Sequence, residues 1–520
     1  MSDDKAFKNA KEALGLHLYG MEQDGDSIPE PSPLSALQPD KDEVVTMIEI
    51  FMPAFRDKMQ GRLYIMRKFS YILILTTVLL SIFSCLMSNL AFAAAQEIEW
   101  EKSYGGSGRD WARDIQQTND GGYIVAGSSN SKDGDVTGNH GKYDFWIVKL
   151  NPEGNIVWQK SLGGSNNDCA YSVQQTTDGG YIVAGVSDSN DGDVGQNRGR
   201  SDGWVVKLDG NGEIKWQKTY GGSALDWISD IRQTEDGGYI FTGSSHSDDG
   251  DASGNHGRDY GFFKLDPSRD CWVVKLDSEG EILWGKMYGG SKDEGGQAIK
   301  QTKDGGYIVA AVSNSSDGDL KNFKEGESHD FWIIKLDATG NIDWQKLFGG
   351  SKIDIANSIQ QTMDNGYIVA GYTVSNDGDV SLKHGVHDYW IIKLDVDGDL
   401  MWQRTLGGKR FQWATNVQQT IDGDYIIAGY SDSIDGDVTG NHGHDDYWIV
   451  KLNTEGGIVW EKSLGGSGYD EAYSLQKTSD GGYIIAGSSD SRDGDVSGNH
   501  DSLDFWIIKM PSEVICASVL

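Results

Sequence analysis

The chain is 520 residues long with a formal net charge of −34, and 38% of its residues are hydrophobic, enough for a sizeable core. An acid excess of this size argues against a nucleic-acid partner, because phosphate binding needs Lys and Arg to displace counterions. With 69 Gly, only 8 Pro and 10% aromatic residues, the composition is that of many short strands joined by tight turns. The cysteines Cys85, Cys169, Cys271 and Cys516 show no paired spacing, so neither a disulfide framework nor a metal-ligand pattern follows from them.

Residues 1–60 read as a short amphipathic helix around 5–14, a Pro-rich acidic turn at 28–32 and a strand-like run at 44–50. The stretch 10–19, with 28–32 and the strand ending at Arg56, resembles the core of HicB-type antitoxins. That resemblance implies toxin-binding and repressor roles. A start codon called too early, or a gene fusion, is the alternative origin, and Met66 would then be the first residue.

Residues 61–96 form an export segment. Met66-Arg67-Lys68 precedes an apolar run over 69–92, which ends in small residues through Ala93 and Ala95. Basic, apolar and small-residue regions in that order predict a signal peptide cleaved after Ala93 or Ala95. Left uncleaved, the run is long enough to cross a bilayer once. In both cases Arg56, Lys58, Arg62, Arg67 and Lys68 hold their side in the cytoplasm and send the rest outside.

From residue 97 to 520 a unit of about sixty residues recurs seven times. A tryptophan opens each copy: Trp100, Trp158, Trp216, Trp284, Trp344, Trp402 and Trp460. Units of this kind cannot bury their apolar faces alone and must stack. The first copy reads as strand 110–118, tight turn Asn119-Asp120-Gly121-Gly122, strand 123–127, a polar loop over 128–143, strand 144–150, turn Asn151-Pro152-Glu153-Gly154 and strand 155–160. Four strands per unit predict a propeller blade, and the fold class is all-β: a seven-bladed β-propeller. The segment 97–100 is an orphan outer strand, and the last unit lacks that strand. The first strand is therefore expected to complete the last blade.

The segment Lys335-Leu336-Asp337-Ala338-Thr339-Gly340-Asn341-Ile342-Asp343-Trp344 resembles the tryptophan-docking segment of quinoprotein-like propellers. The whole unit resembles the roughly sixty-residue propeller repeats of bacterial and archaeal cell-surface proteins. Third-strand tryptophans (Trp146, Trp204, Trp272, Trp332, Trp390, Trp448, Trp506) accompany the opening ones, and Trp111, Trp227 and Trp413 complete the seventeen. All are expected to pack between blades rather than to stack on sugars.

Alternate connections of a four-stranded meander share a face, so one rim collects the long loops and the Gly-Gly-Ser crossovers. Each long loop carries Asp-Gly-Asp: Asp133/Asp135, Asp191/Asp193, Asp249/Asp251, Asp317/Asp319, Asp377/Asp379, Asp435/Asp437 and Asp493/Asp495. Hard oxygen ligands flanking a glycine suit Ca²⁺, the one cofactor suggested, although no further acidic ligand recurs at a fixed distance. The competing reading is a turn in which aspartates cap backbone amides. His140, His256, His442 and His500 recur at one loop position where Arg198 stands in the second unit, which points to rim packing rather than metal ligation.

Units four to six break the pattern on this rim with Lys321, Phe323, Lys324, Lys383, His384, Lys409, Arg410 and Phe411, a candidate partner site. Unit three carries a ten-residue insertion whose 259–266 is echoed by 270–277. No catalytic constellation stands apart from the repeats, so the expected function is non-catalytic: an exported, monomeric binding or structural module at the cell surface. Its partner would be an extracellular protein or glycan, and it would touch a membrane only through the export segment. An enzyme of quinoprotein or glycan-active type is one rival. A membrane-anchored fusion with a toxin-binding N-terminal segment is the other.

Overall fold

The computed structural model describes residues 98–257, 268–321 and 328–512. The antitoxin-like and export segments, the duplicated stretch 259–266, Phe323 and Lys324, and Cys85 and Cys516 lie outside them. The described residues belong to the compact unit Ser88–Leu520. Among them no helix is long and apolar enough to cross a membrane.

Blade 1 shows how the sequence builds each unit. The first strand, Asp110–Gln117, alternates buried and half-buried residues, whereas Tyr123–Ser129 and Asp144–Leu150 are buried on both faces. The fourth, Ile156–Leu162, is largely half-exposed. This gradient is that of a sheet clasped at its middle by two neighbours, with one edge on an axis and the other at the perimeter. A bulge between Ala112 and Asp114 leaves Arg113 without a cross-strand partner. Gly127 opposite has no room for a Cβ, which would run into the Trp111 carbonyl oxygen.

The pattern repeats to give seven antiparallel four-stranded sheets, a seven-bladed β-propeller. Six consist of four consecutive strands. The seventh joins Trp100–Tyr104 to Asp504–Met510, in register from Trp100↔Lys509 to Tyr104↔Phe505. Closure of the ring by the first strand is as the sequence predicts. The closing strand also carries Glu101, whose Oε2 accepts the Trp506 indole N–H at 2.9 Å.

Between blades the third-strand tryptophans form the largest buried side chains, and Trp146 lies 4.4 Å from the Phe505 ring of the preceding blade. Six of the opening tryptophans meet the next blade's second-strand tyrosine edge-on, as Trp100 does Tyr123 at 5.8 Å, and Trp460 is buried in the cluster that holds Tyr483. These fourteen pack as expected. Trp111 stacks on Tyr143 at 5.3 Å, whereas Trp227 and Trp413 line the central channel.

On the face away from the Asp-Gly-Asp loops, third-strand lysines turn inward. Lys149, 4% exposed, donates to the Leu150 carbonyl and to Asp120 of the tight turn, each at 3.0 Å. The arrangement recurs as Lys207–Asp178, Lys275–Asp236, Lys335–Asp304 and Lys393–Asp364, each at 2.9 Å. A lysine bridging a strand end to a turn fixes the hairpin it sits beside.

Candidate functional site: the loop rim and the channel mouth

The Asp-Gly-Asp loops and the crossovers do share a rim. Asp133 Oδ1 accepts the Ser107 backbone N–H at 2.7 Å, and the same bond ties Asp191 to Ser165, Asp249 to Ser223, Asp317 to Ser291, Asp377 to Ser351, Asp435 to Lys409 and Asp493 to Ser467. The second aspartate caps the crossover from the other side: Asp135 Oδ2 accepts Gly105 N–H at 3.2 Å, and Asp193, Asp319, Asp379, Asp437 and Asp495 do likewise. Asp251 instead meets the Arg198 guanidinium. Gly134 sits at φ 64°, a left-handed conformation that favours glycine. Hydrogen bonds from crossover amides hold Asp133, Asp377 and Asp493 below the usual carboxylate range. Among the described residues no three His, Cys, Asp or Glu side chains are gathered to hold a metal ion.

Beneath this rim lies a second ring of acids. Each crossover begins at a glycine, and a Cβ at Gly105 would come within 2.5 Å of both Asp110 and Asp504. The equivalent pairs are Asp144/Asp168, Asp202/Asp226, Asp270/Glu294, Asp330/Asp354 and Asp446/Asp470, one per blade junction. Of the first-strand members, Asp168 Oδ2 accepts Gly164 N–H at 2.8 Å and the Ser189 hydroxyl at 2.9 Å, whereas Oδ1 of Asp110 and of Asp470 is without a partner. The facing member has one orphaned oxygen, Oδ1, in Asp144, Asp202, Asp270, Asp330, Asp446 and Asp504. Burial, reinforced by the facing acid, pushes Asp202, Asp470 and Asp504 up to about 6 and Asp330 up to about 8. At the seventh junction Gln412 replaces the acid, and there Asp388 Oδ1 accepts Gly385 N–H at 2.9 Å.

The recurring histidines belong to these pairs. His140 Nδ1 lies 2.8 Å from Asp144 Oδ2, and His256, His442 and His500 contact Asp270, Asp446 and Asp504 likewise. Arg198 takes the place by donating its backbone N–H to Asp202. His384 is a fifth member, 3.1 Å from Asp388.

The first strands surround the axis, and on the loop side they open into a cavity of about 610 Å³ lined from all seven blades. The bulge turns one residue per blade toward it: Arg113, Tyr171, Ser229, Gln297, Asn357, Thr415 and Tyr473. Aromatic residues form one wall. Tyr372, Trp413 and Tyr430 follow one another at 5.7 and 5.1 Å, and Trp227 stands three blades away. Farther along the axis a narrower space of about 230 Å³ holds a charged knot: Asp230 takes Arg232 at 2.8 Å and Lys300 at 2.9 Å.

Of the candidate partner residues, Lys409 and Arg410 pair with Asp435 at 2.7 Å and Asp432 at 3.3 Å. Lys383 donates to the Val374 carbonyl, and Lys321 is exposed. Phe411 is 41% exposed and meets His387 edge-on at 4.9 Å; the same His387 accepts the Trp413 indole N–H. The rim irregularity thus continues into the aromatic wall. Sequence reasoning missed the mouth because a bulge shifts which residue faces the axis.

No family model matches this chain. It is similar to the regulatory protein FlaEY of Caulobacter vibrioides, 23% identical over 412 residues, which cover 69% of this chain and 40% of that protein. The chain therefore spans less than half the length of this relative. Similar solved structures include the Neurospora crassa Pan2 WD40 domain (10% identity, 80% of this chain and 97% of that one, TM-score 0.42). Sqt1 from Chaetomium thermophilum shares 10% identity, covers 79% and 100%, and has a TM-score of 0.41. The Pyrococcus horikoshii acylaminoacyl peptidase shares 12% identity, covers 76% and 50%, and has a TM-score of 0.38.

Proposed function

We propose that this propeller is an exported binding module of the cell surface, without catalytic activity, that holds an extracellular protein or glycan at the channel mouth and the rim beside it. One observation carries this reading. The seven blades repeat their core residues closely, with tryptophan in every third strand, yet the seven bulge positions at the mouth carry an arginine, two tyrosines, a serine, a glutamine, an asparagine and a threonine. Packing alone asks for the same residue in each blade, whereas a single ligand on the axis meets each blade differently. Function on a scaffold resides in such a grafted site.

The test is an array of extracellular proteins and glycans probed with the full-length protein and with the Trp413→Ala, Phe411→Ala double variant. Binding should appear with the natural chain and fall with the double variant, and no bound ligand should be turned over. Retained binding by the variant, or chemical change in a bound ligand, overturns the proposal. Export is checked by sequencing the N-terminus of the mature protein, expected at Ala94 or Gln96. A mature chain retaining residues before Phe69 in the membrane fraction would refute cleavage.

A further inference from the structure

We infer that the ligand of the mouth is the end of a neutral saccharide chain, an inference that rests on the mouth being the binding site. The first support is shape. Trp413 with Tyr372 and Tyr430 offers a continuous aromatic wall, and Trp227, three blades round a seven-blade ring, stands across the axis from it. A pyranose has an apolar C–H face and a hydroxylated edge, so it needs aromatic surface and neutral hydrogen-bonding groups in one cavity. Ser229, Gln297 and Asn357 supply the second kind, and Asn357 is oriented by its own bond to the Ala414 carbonyl at 2.8 Å.

Charge gives the second support. The Arg113 guanidinium lies over the Tyr473 ring at 4.1 Å, and Glu471 accepts the hydroxyl of that same tyrosine. These two opposite charges are engaged at one residue, and the Arg269 guanidinium lies over the Trp227 ring at 5.4 Å, so the cations beside the mouth are already set against aromatic faces. A cationic ligand would also have to displace Arg113 from the ring face that attracts cations.

Backbone availability gives the third. A peptide that binds as an added strand needs an open sheet edge. The axial edges of the first strands are already bonded to neighbouring blades, as Gln175 N–H is to Gln116 Oε1 at 2.5 Å and Val173 N–H is to Asp114 at 3.0 Å. The cavity of about 610 Å³ suits a short oligosaccharide rather than a single small group.

Full-length protein, assayed on neutral and acidic oligosaccharides and on a peptide library, separates the outcomes. A neutral oligosaccharide should bind and change tryptophan fluorescence. Trp413→Ala should weaken it by about tenfold or more, the loss of one stacking face, while Trp413→Phe stays close to the natural affinity. Val157→Ala, on the exposed outer strand of the first blade, should leave binding unchanged, and melting curves of each variant exclude unfolding as the cause. Silence on every glycan, or preference for acidic ones, overturns the inference. If peptides bind instead and Trp413→Ala abolishes that binding, the saccharide is wrong and the mouth stands. If a bound glycan ignores both Trp413→Ala and Trp227→Ala, the mouth is wrong as well.

Discussion

At the scale of single residues, the facing acids at six blade junctions make stability depend on pH. Asp202, Asp470 and Asp504 are raised to about 6 and Asp330 to about 8, above the value a free aspartate has in the unfolded chain. The folded state therefore holds these protons more tightly. Their stabilising contribution is complete below about pH 4 and is lost as pH rises through 6 and, for Asp330, 8. Asp178, Asp236 and Asp304 act in the opposite sense: against the pull of burial, hydrogen bonds from a turn threonine and a lysine hold them near 2. Their contribution is present above about pH 4 and lost as pH falls through 2. Melting temperature should accordingly peak near pH 4 and decline from there toward pH 8. Asp330→Asn should stabilise the protein at pH 8 by about 1–2 kcal/mol and flatten that decline. Gln412→Glu, which creates a seventh pair, should lower the melting temperature at pH 8 and scarcely at pH 5. A flat profile from pH 5 to 8 would refute the paired-acid account.

At the scale of elements, two devices pin each blade, one per face. The lysine of the third strand is nearly buried and bridges the strand end to the turn. Replacing Lys393 with Met leaves the Leu394 carbonyl without its donor at 2.9 Å and should cost about 1–3 kcal/mol in urea unfolding. The Asp-Gly-Asp loop pins the crossover, and here calcium is a matter for measurement. The first aspartate already accepts amide bonds, so an ion would have to compete for it. We expect a millimolar calcium series to raise the melting temperature no more than magnesium at matched ionic strength; a clear calcium excess, lost on changing Asp133, Asp191 and Asp435 to Asn, would make these loops cation sites.

The strands and turns of these elements were legible in the sequence because alternation, tight-turn glycines and repeat spacing are local signals. The mouth was not, since the bulge at Arg113 interrupts the alternation from which facing is read. Asp144 and its counterparts looked like ordinary strand starts, because burial of an acid depends on the neighbouring blade. The spacing of four between His140 and Asp144, repeated in His384 and Asp388, was the signal that would have found them.

At the scale of the whole molecule, everything depends on one strand supplied from the other end of the chain. Deleting 97–102 strips Asp504–Met510 of its partner and removes Glu101 from Trp506. An open edge and a lost inter-blade tryptophan should lower the melting temperature by about 5–15 °C. Appending the same six residues behind Ser512 in the deleted protein should restore it. Equal melting of the truncated and natural chains would refute closure by this strand.

That closure also sets a timetable. Trp506 and Glu101 are 405 positions apart, so the first-made strand of the propeller has no partner until synthesis of the ring is almost complete. At about 5–20 residues per second, the interval is roughly 20–80 s. Throughout it the nascent propeller carries an unclaimed strand ahead of the six blades that assemble behind it. Any copy whose leading strand finds the last blade of another chain first becomes linked to it, so the yield of single rings should fall as the rate of production rises.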